Sequence, residues 1–139
     1  MIDESTTFGK RAARRLREEI IGWFTTVDRT GTPQPVPVWF LWDGDRSILL
    51  YSQEMTAKLR SLRRNPRCSL HLDGNGRGGD IVVMLGEAHV SHDDPPANQV
   101  PEYVKKYEEA MDRNGWGPVD FARLYPVPIR ITLKRLRGH

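Results

Sequence analysis

Residues Thr56-Ala57-Lys58-Leu59-Arg60-Ser61-Leu62-Arg63-Arg64-Asn65-Pro66 spell out a short, sharply bounded helix. Thr56 stands where an N-cap belongs, and Asn65-Pro66 stops the helix because proline disfavours helical backbone in the residue before it. Leu59 and Leu62 lie one turn apart and face inward, which leaves Arg60, Arg63 and Arg64 toward solvent and Lys58 in the first turn. A lysine there opposes the helix dipole, at a cost on the order of a few tenths of a kcal/mol unless an anion is present. Free amides, a cap hydroxyl and Lys58 converge on one point, which is how a helix start binds phosphate. A solvated basic helix has the same pattern, and the segment by itself leaves both readings open.

Upstream of this helix, Ser47 to Ser52 reads as a strand entered through the hairpin Asp43-Gly44-Asp45-Arg46. Before it, Pro35 to Trp42 is apolar on both alternating faces and predicts a strand covered twice, with the Pro35 to Pro37 portion at an edge or bulge because proline cannot donate to a ladder. Trp39 on this strand fits either core packing or the wall of a site for a planar ring. Trp23 to Val27 is a further strand, closed by turn residues Asp28 to Pro33, and Phe8 to Ile21 is a basic amphipathic helix.

Downstream, Arg67 to Asp73 alternates, with Cys68, Leu70 and Leu72 inward. Ile81 to His92 and Pro128 to Arg137 are the remaining strands, and between them Asn98 to Arg113 and Asp120 to Tyr125 carry helical spacing. Hairpins and doubly apolar strands point to a barrel in a single domain, residues 1–139. Gly74 to Gly79 matches G-x-G-x-x-G, yet it joins two strands where a dinucleotide fingerprint would open a helix. It reads as a mobile hairpin loop, or as one whose glycines let a ligand ring approach backbone.

The 139 residues, 38% hydrophobic and 28% charged with a net charge of +3, suit one folded core and favour anionic ligands. Cys68 stands alone, so an internal disulfide is impossible. No apolar run approaches the roughly 20 residues of a membrane span, and the charged first twenty lack a signal core; a cytoplasmic location and no membrane partner are expected. His89 and His92, three apart on a strand, point to opposite faces, so no metal site is expected. Hydrolase elbows, metalloprotease helices and P-loops are absent, which favours borrowed cofactor chemistry. Nucleic acid is not an expected partner, since the four tryptophans look mostly buried.

In order along the chain, Gly31-Thr32-Pro33, Pro35-Val36-Pro37-Val38-Trp39-Phe40, Leu50-Tyr51-Ser52, the Thr56–Pro66 block with Arg67, and Gly86-Glu87-Ala88 resemble the pyridoxamine 5'-phosphate oxidase-like split-barrel family. The resemblance spans residues 8 to 137 and is greatest to the short, coenzyme F-420-dependent (deazaflavin) branch of actinobacteria. It implies a mainly β, α+β fold: a six-stranded antiparallel split β-barrel of FMN-binding type with flanking helices. It also implies a homodimer with the cofactor between subunits. On that pattern Ser52, Thr56, Ala57 and Lys58 hold the phosphate, and Pro37, Val38 and Trp39 line the ring. Arg64 and Gly79 complete the expected set. Unlike longer oxidases with a C-terminal extension, the chain stops at His139, and its Arg77-Gly78-Gly79 loop lacks the aromatic that relatives often carry.

FMN and coenzyme F-420 share a tricyclic ring and a phosphate, but the latter adds a polyanionic tail. Arg60, Arg63, Arg64 and the Lys10 to Arg17 cluster offer cations for such a tail, tilting the expectation to coenzyme F-420, with FMN as the alternative. The expected activity is hydride transfer from reduced coenzyme F-420 to a small organic acceptor. A non-catalytic flavin or deazaflavin carrier is the alternative from another class. Tyr51 and Tyr125 are placed near the groove as possible proton donors, and no catalytic residue is assigned.

Overall fold

The structure is a computed structural model describing residues 1–139. In chain order it contains α1 (Thr7–Glu18), β1 (Gly22–Val27), β2 (Pro33–Val38), β3 (Leu41–Trp42), β4 (Ser47–Ser52), α2 (Ala57–Arg64), β5 (Arg67–His71), β6 (Val82–Val90), a 3-10 turn (Ala97–Gln99), α3 (Pro101–Arg113), α4 (Pro118–Leu124) and β7 (Val127–Gly138). The strands form one antiparallel sheet in the order β2-β1-β5-β6-β7-β4-β3. The expected split-barrel architecture is present, with seven strands where six were expected.

The extra strand arises because the predicted Pro35 to Trp42 strand is interrupted at Trp39-Phe40. The Phe40 N–H donates to the Tyr107 hydroxyl at 2.7 Å, and the Phe40 carbonyl accepts from Lys106 Nζ at 2.9 Å. With both backbone groups engaged by α3, Phe40 has nothing left for a ladder. β2 therefore pairs with β1, and β3 with β4. These two strands are the opposite edges of the sheet, yet they are consecutive in the chain. The sheet must curl until its edges nearly meet, and the gap between them is the split of the barrel.

Double coverage belongs to β4 instead of the strand expected to have it. Its Ile48 and Leu50 enter the barrel core with Phe24, Phe40, Leu70 and Met84, while Leu49 and Tyr51 face a second cluster under α3 and α4. β2 is largely exposed in the isolated chain, and its prolines lie at an edge as expected. α1 ends at Glu18, short of the expected Ile21, and Ile20 turns onto the second cluster. Leu59 and Leu62 of α2 are buried and Arg60, Arg63 and Arg64 exposed, as their spacing predicts. Gly86 has a steric reason: at the bulge between β6 and β7, an added Cβ would lie 2.3 Å from the Thr132 carbonyl oxygen.

The helical excursion is fastened to the barrel by a bidentate ion pair. Arg130 of β7 donates to both Asp94 carboxylate oxygens at 2.7 and 2.8 Å, and the Ser91 hydroxyl donates to the same carboxylate at 2.6 Å. Arg130, foremost, holds the Asp94 carboxyl below the usual carboxylate range. A depressed carboxylate pKa means the unfolded chain binds the proton more readily, so the stabilisation is present above the unfolded pKa and is lost as pH falls through the folded one. Asp94→Asn is expected to cost about 1–2 kcal/mol at pH 7, for a pair that is partly solvent-screened. Urea unfolding should show the gap between wild type and variant shrinking toward zero as the pH falls through the depressed Asp94 pKa.

Candidate functional site

A cleft of about 360 Å³ opens between β2, the start of α2 and the α3–α4 excursion. Four of the residues singled out from the sequence, Pro37, Val38, Trp39 and Lys58, line it, together with Tyr51 and Tyr125. Trp39 is held face-on between Tyr107 (centroids 4.8 Å apart, planes 9° apart) and Phe121 (5.1 Å, 13°). Phe121 stacks in turn on Tyr125 at 4.7 Å, and Trp116 meets Trp39 edge-on at 6.3 Å. Trp39 packs on the second core cluster and also lines the cleft. Tyr103, Trp116 and Phe121 also line the cleft; the sequence places Tyr103 and Phe121 on helical segments and Trp116 among the four tryptophans, and assigns none of them to a site. The aromatic run at 116, 121 and 125 around Gly117-Pro118 was the signal for this wall.

The start of α2 differs from an ordinary capped helix. Thr6 caps α1 by accepting from the Gly9 N–H at 2.9 Å, whereas Thr56 occupies the N-cap of α2 but makes no side-chain cap bond. The Thr56 hydroxyl instead lies 3.2 Å from that of the buried Ser52, which donates to the Gln53 carbonyl at 2.8 Å. The amides of Ala57, Lys58 and Leu59 consequently have no acceptor in the chain. Met55, just before, is 86% exposed and holds a left-handed φ of 58°, a conformation costly for a side chain of this kind. Lys58 is half-buried without an ion pair, and burial lowers its pKa from the ordinary lysine value.

The other expected residues lie outside the cleft of their own chain. Ala57 and Arg64 line a separate groove of about 340 Å³ with Arg29, Arg60 and Ser61, closed on one side by the β1–β2 turn. Gly79 sits in the β5–β6 turn against Asn75, next to Asp80, which pairs with Arg11 at 2.8 Å. The basic α1 cluster is also less free than its composition suggests. Arg15 is bonded to Glu19 and to the Asp73 and Asp80 carbonyls, and Arg17 lies over the Trp42 ring at 4.9 Å.

The family model for pyridoxamine 5'-phosphate oxidase matches residues 8–132. The chain belongs to the pyridoxamine 5'-phosphate oxidase family. Solved structures of similar fold include a Listeria innocua protein classed as a pyridoxamine 5'-phosphate oxidase (20% identity, 92% of this chain and 94% of that one covered, TM-score 0.67). An F-420 reductase is similar at 22% identity over 91% and 95% of the two chains, with a TM-score of 0.64. A conserved hypothetical protein of Mycobacterium tuberculosis is similar at 22% over 92% and 81%, with a TM-score of 0.68. No curated protein is a significant match to the sequence. No helix is long and apolar enough to cross a membrane.

Lys58 has burial without a counterion, so its charge opposes folding of the ligand-free protein. Lys58→Met is expected to leave the melting temperature unchanged or a few degrees higher in calorimetry. A drop of about 5 °C, roughly 1 kcal/mol for a chain of this size, would show that the lysine serves packing instead.

Proposed function

We propose that the cleft binds a tricyclic flavin-type cofactor by its phosphate at Lys58, and that the protein is an oxidoreductase using coenzyme F-420. The observation that carries this reading is the conjunction at the start of α2: an unpaired, half-buried lysine beside unsatisfied amides, at one end of an aromatic cleft. Such a site suits a terminal phosphate, which would satisfy the amides and restore the lysine's preference for its charged form. A planar ring suits Trp39, Pro37 and Val38, and the cleft's volume falls in the range of small-molecule sites.

When bound, the reduced cofactor supplies a hydride to an organic acceptor. The chain's own share is to grip the phosphate, orient the ring against Trp39 and keep water from the cleft with its aromatic walls. Tyr51, pushed up to about 12 mainly by burial, keeps its proton and donates it to the Pro95 carbonyl at 2.7 Å.

Coenzyme F-420 is favoured over FMN by the groove on the far side of the α2 start. Arg29, Arg60 and Arg64 line it with no carboxylate partner, because Asp28 is engaged by Thr30, Thr32 and Gln34. A polyanionic tail leaving the phosphate site would run along these cations. The homodimer belongs to the same proposal. The exposed side of β2, which carries Pro33, Pro35 and Pro37 while Val36 and Val38 pack on the barrel core, offers a surface for a second copy, and Gly79 would reach the cleft from that copy. A carrier without turnover shares all of these binding features and is told apart by the absence of acceptor reduction.

Titration with FMN and with oxidised coenzyme F-420, followed by fluorescence, is expected to show tighter binding of coenzyme F-420. Lys58→Ala should weaken both by roughly 10- to 100-fold, the worth of a charge-assisted hydrogen bond. Binding of neither cofactor would end the reading, and FMN binding alone would move the chain to the flavin branch.

A further inference from the structure

Lys58 is the one cationic residue lining the aromatic cleft, and no carboxylate lines it. Its amine makes no ion pair and no hydrogen bond in the chain, yet it is not among the buried polar atoms left without a partner, so it keeps contact with solvent. The four other lysines are placed differently. Lys10, Lys105 and Lys134 are exposed, and the Lys106 amine donates to the Leu16 carbonyl at 3.3 Å and the Phe40 carbonyl at 2.9 Å.

A lysine amine is a nucleophile only once it has lost its proton. Burial without an opposing charge favours the neutral form and lowers the Lys58 pKa, so its neutral fraction exceeds that of a lysine at the ordinary value. A phosphate paired with Lys58 does the reverse: it holds the amine as ammonium and takes the lone pair away. Arg60 and Arg64, on the same helix and without a carboxylate partner, draw small anionic reagents to this end of the molecule.

We propose that Lys58 is an acyl-acceptor site: small acyl phosphates transfer their acyl group to its amine, and acylation and the binding of a phosphate-bearing ligand exclude each other. This rests on the reading of Lys58 as the phosphate grip, and it adds the means by which that grip is switched off. The neutral amine attacks the acyl carbon and a C–N bond forms. The C–O bond to phosphate breaks, inorganic phosphate leaves with that electron pair, and the surplus proton on nitrogen passes to water. The product is a neutral amide, which cannot pair with a phosphate and which removes an uncompensated charge from a half-buried position.

Acetyl phosphate is the probe, and peptide mass spectrometry follows acetylation of each of the five lysines with time. In the cofactor-free protein Lys58 should be acetylated severalfold faster than Lys10 and Lys105. FMN, coenzyme F-420 or inorganic phosphate at ten times its Kd should slow Lys58 about tenfold and leave Lys10 and Lys105 unchanged. Treated wild type should lose roughly 10- to 100-fold in cofactor affinity, as should untreated Lys58→Gln, with a melting temperature equal to or above that of the untreated protein. Lys58→Arg keeps the cation without an acylatable amine, so it should bind cofactor and retain its affinity through the same treatment.

Acetylation of Lys58 no faster than that of Lys10 and Lys105 would overturn the proposal. So would a bound cofactor that leaves the Lys58 rate unchanged, or an equal loss of affinity in treated Lys58→Arg and treated wild type. Failure of the cofactor reading is registered separately: neither FMN nor coenzyme F-420 binds wild type, while Lys58 is still acetylated first and inorganic phosphate still protects it.

Discussion

The backbone of Phe40 is the point on which the architecture turns. One residue gives its N–H to the Tyr107 hydroxyl and its carbonyl to Lys106, and it is thereby taken out of the sheet. The chain on either side then serves as the two edges of the sheet. The interaction is well protected: Phe40 and Tyr107 are fully buried, and the Lys106 ammonium lies 3.9 Å from the centre of the Phe40 ring. Burial lowers Lys106 to about 8, so the same packing that makes the contact specific also weakens the hold of the proton on this lysine. α3 thus acts as a clamp across the split, and the aromatic cleft is the space this clamp leaves between itself and β2.

That clamp explains which parts of the fold were legible from the sequence. The Thr56–Pro66 block was readable because its determinants are local: a hydroxyl, two leucines at helical spacing and a stop at Asn65-Pro66. The interruption at Trp39-Phe40 was not, because the groups that cause it stand 66 and 67 residues further along the chain. Pattern alone sees an apolar run and infers a doubly covered strand. Here the run divides into an exposed edge and a buried bridge, and the coverage passes to β4, whose alternation Ile48, Leu49, Leu50, Tyr51 is as apolar.

The candidate site was legible to the same degree and for the same reason. Pro37, Val38, Trp39 and Lys58 were found because short motifs mark them. Tyr103 and Phe121 fall within the helical segments expected from the sequence and belong to the second core cluster; that they also wall a cleft depends on how α3 and α4 cross, and helical periodicity carries no information on that. The basic helix α1 shows the converse error. Composition counted its arginines as available charge, while the fold engages Arg11 and Arg15 with Asp80 and Glu19.

The prolines of β2 reach beyond their own strand. Pro33, Pro35 and Pro37 share one parity of the alternation, opposite Val27, Thr25 and Trp23, so their three missing donors fall on one side of the strand. The strand pairs with β1 along its whole length, which places that donor-poor side on the free rim of the sheet. Such a rim cannot template another strand, either from a second copy or from an unfolded chain in a crowded solution. Any assembly across this part of the surface is therefore restricted to side-chain packing, and runaway sheet extension is closed off by prolines of which one, Pro37, also borders the cleft.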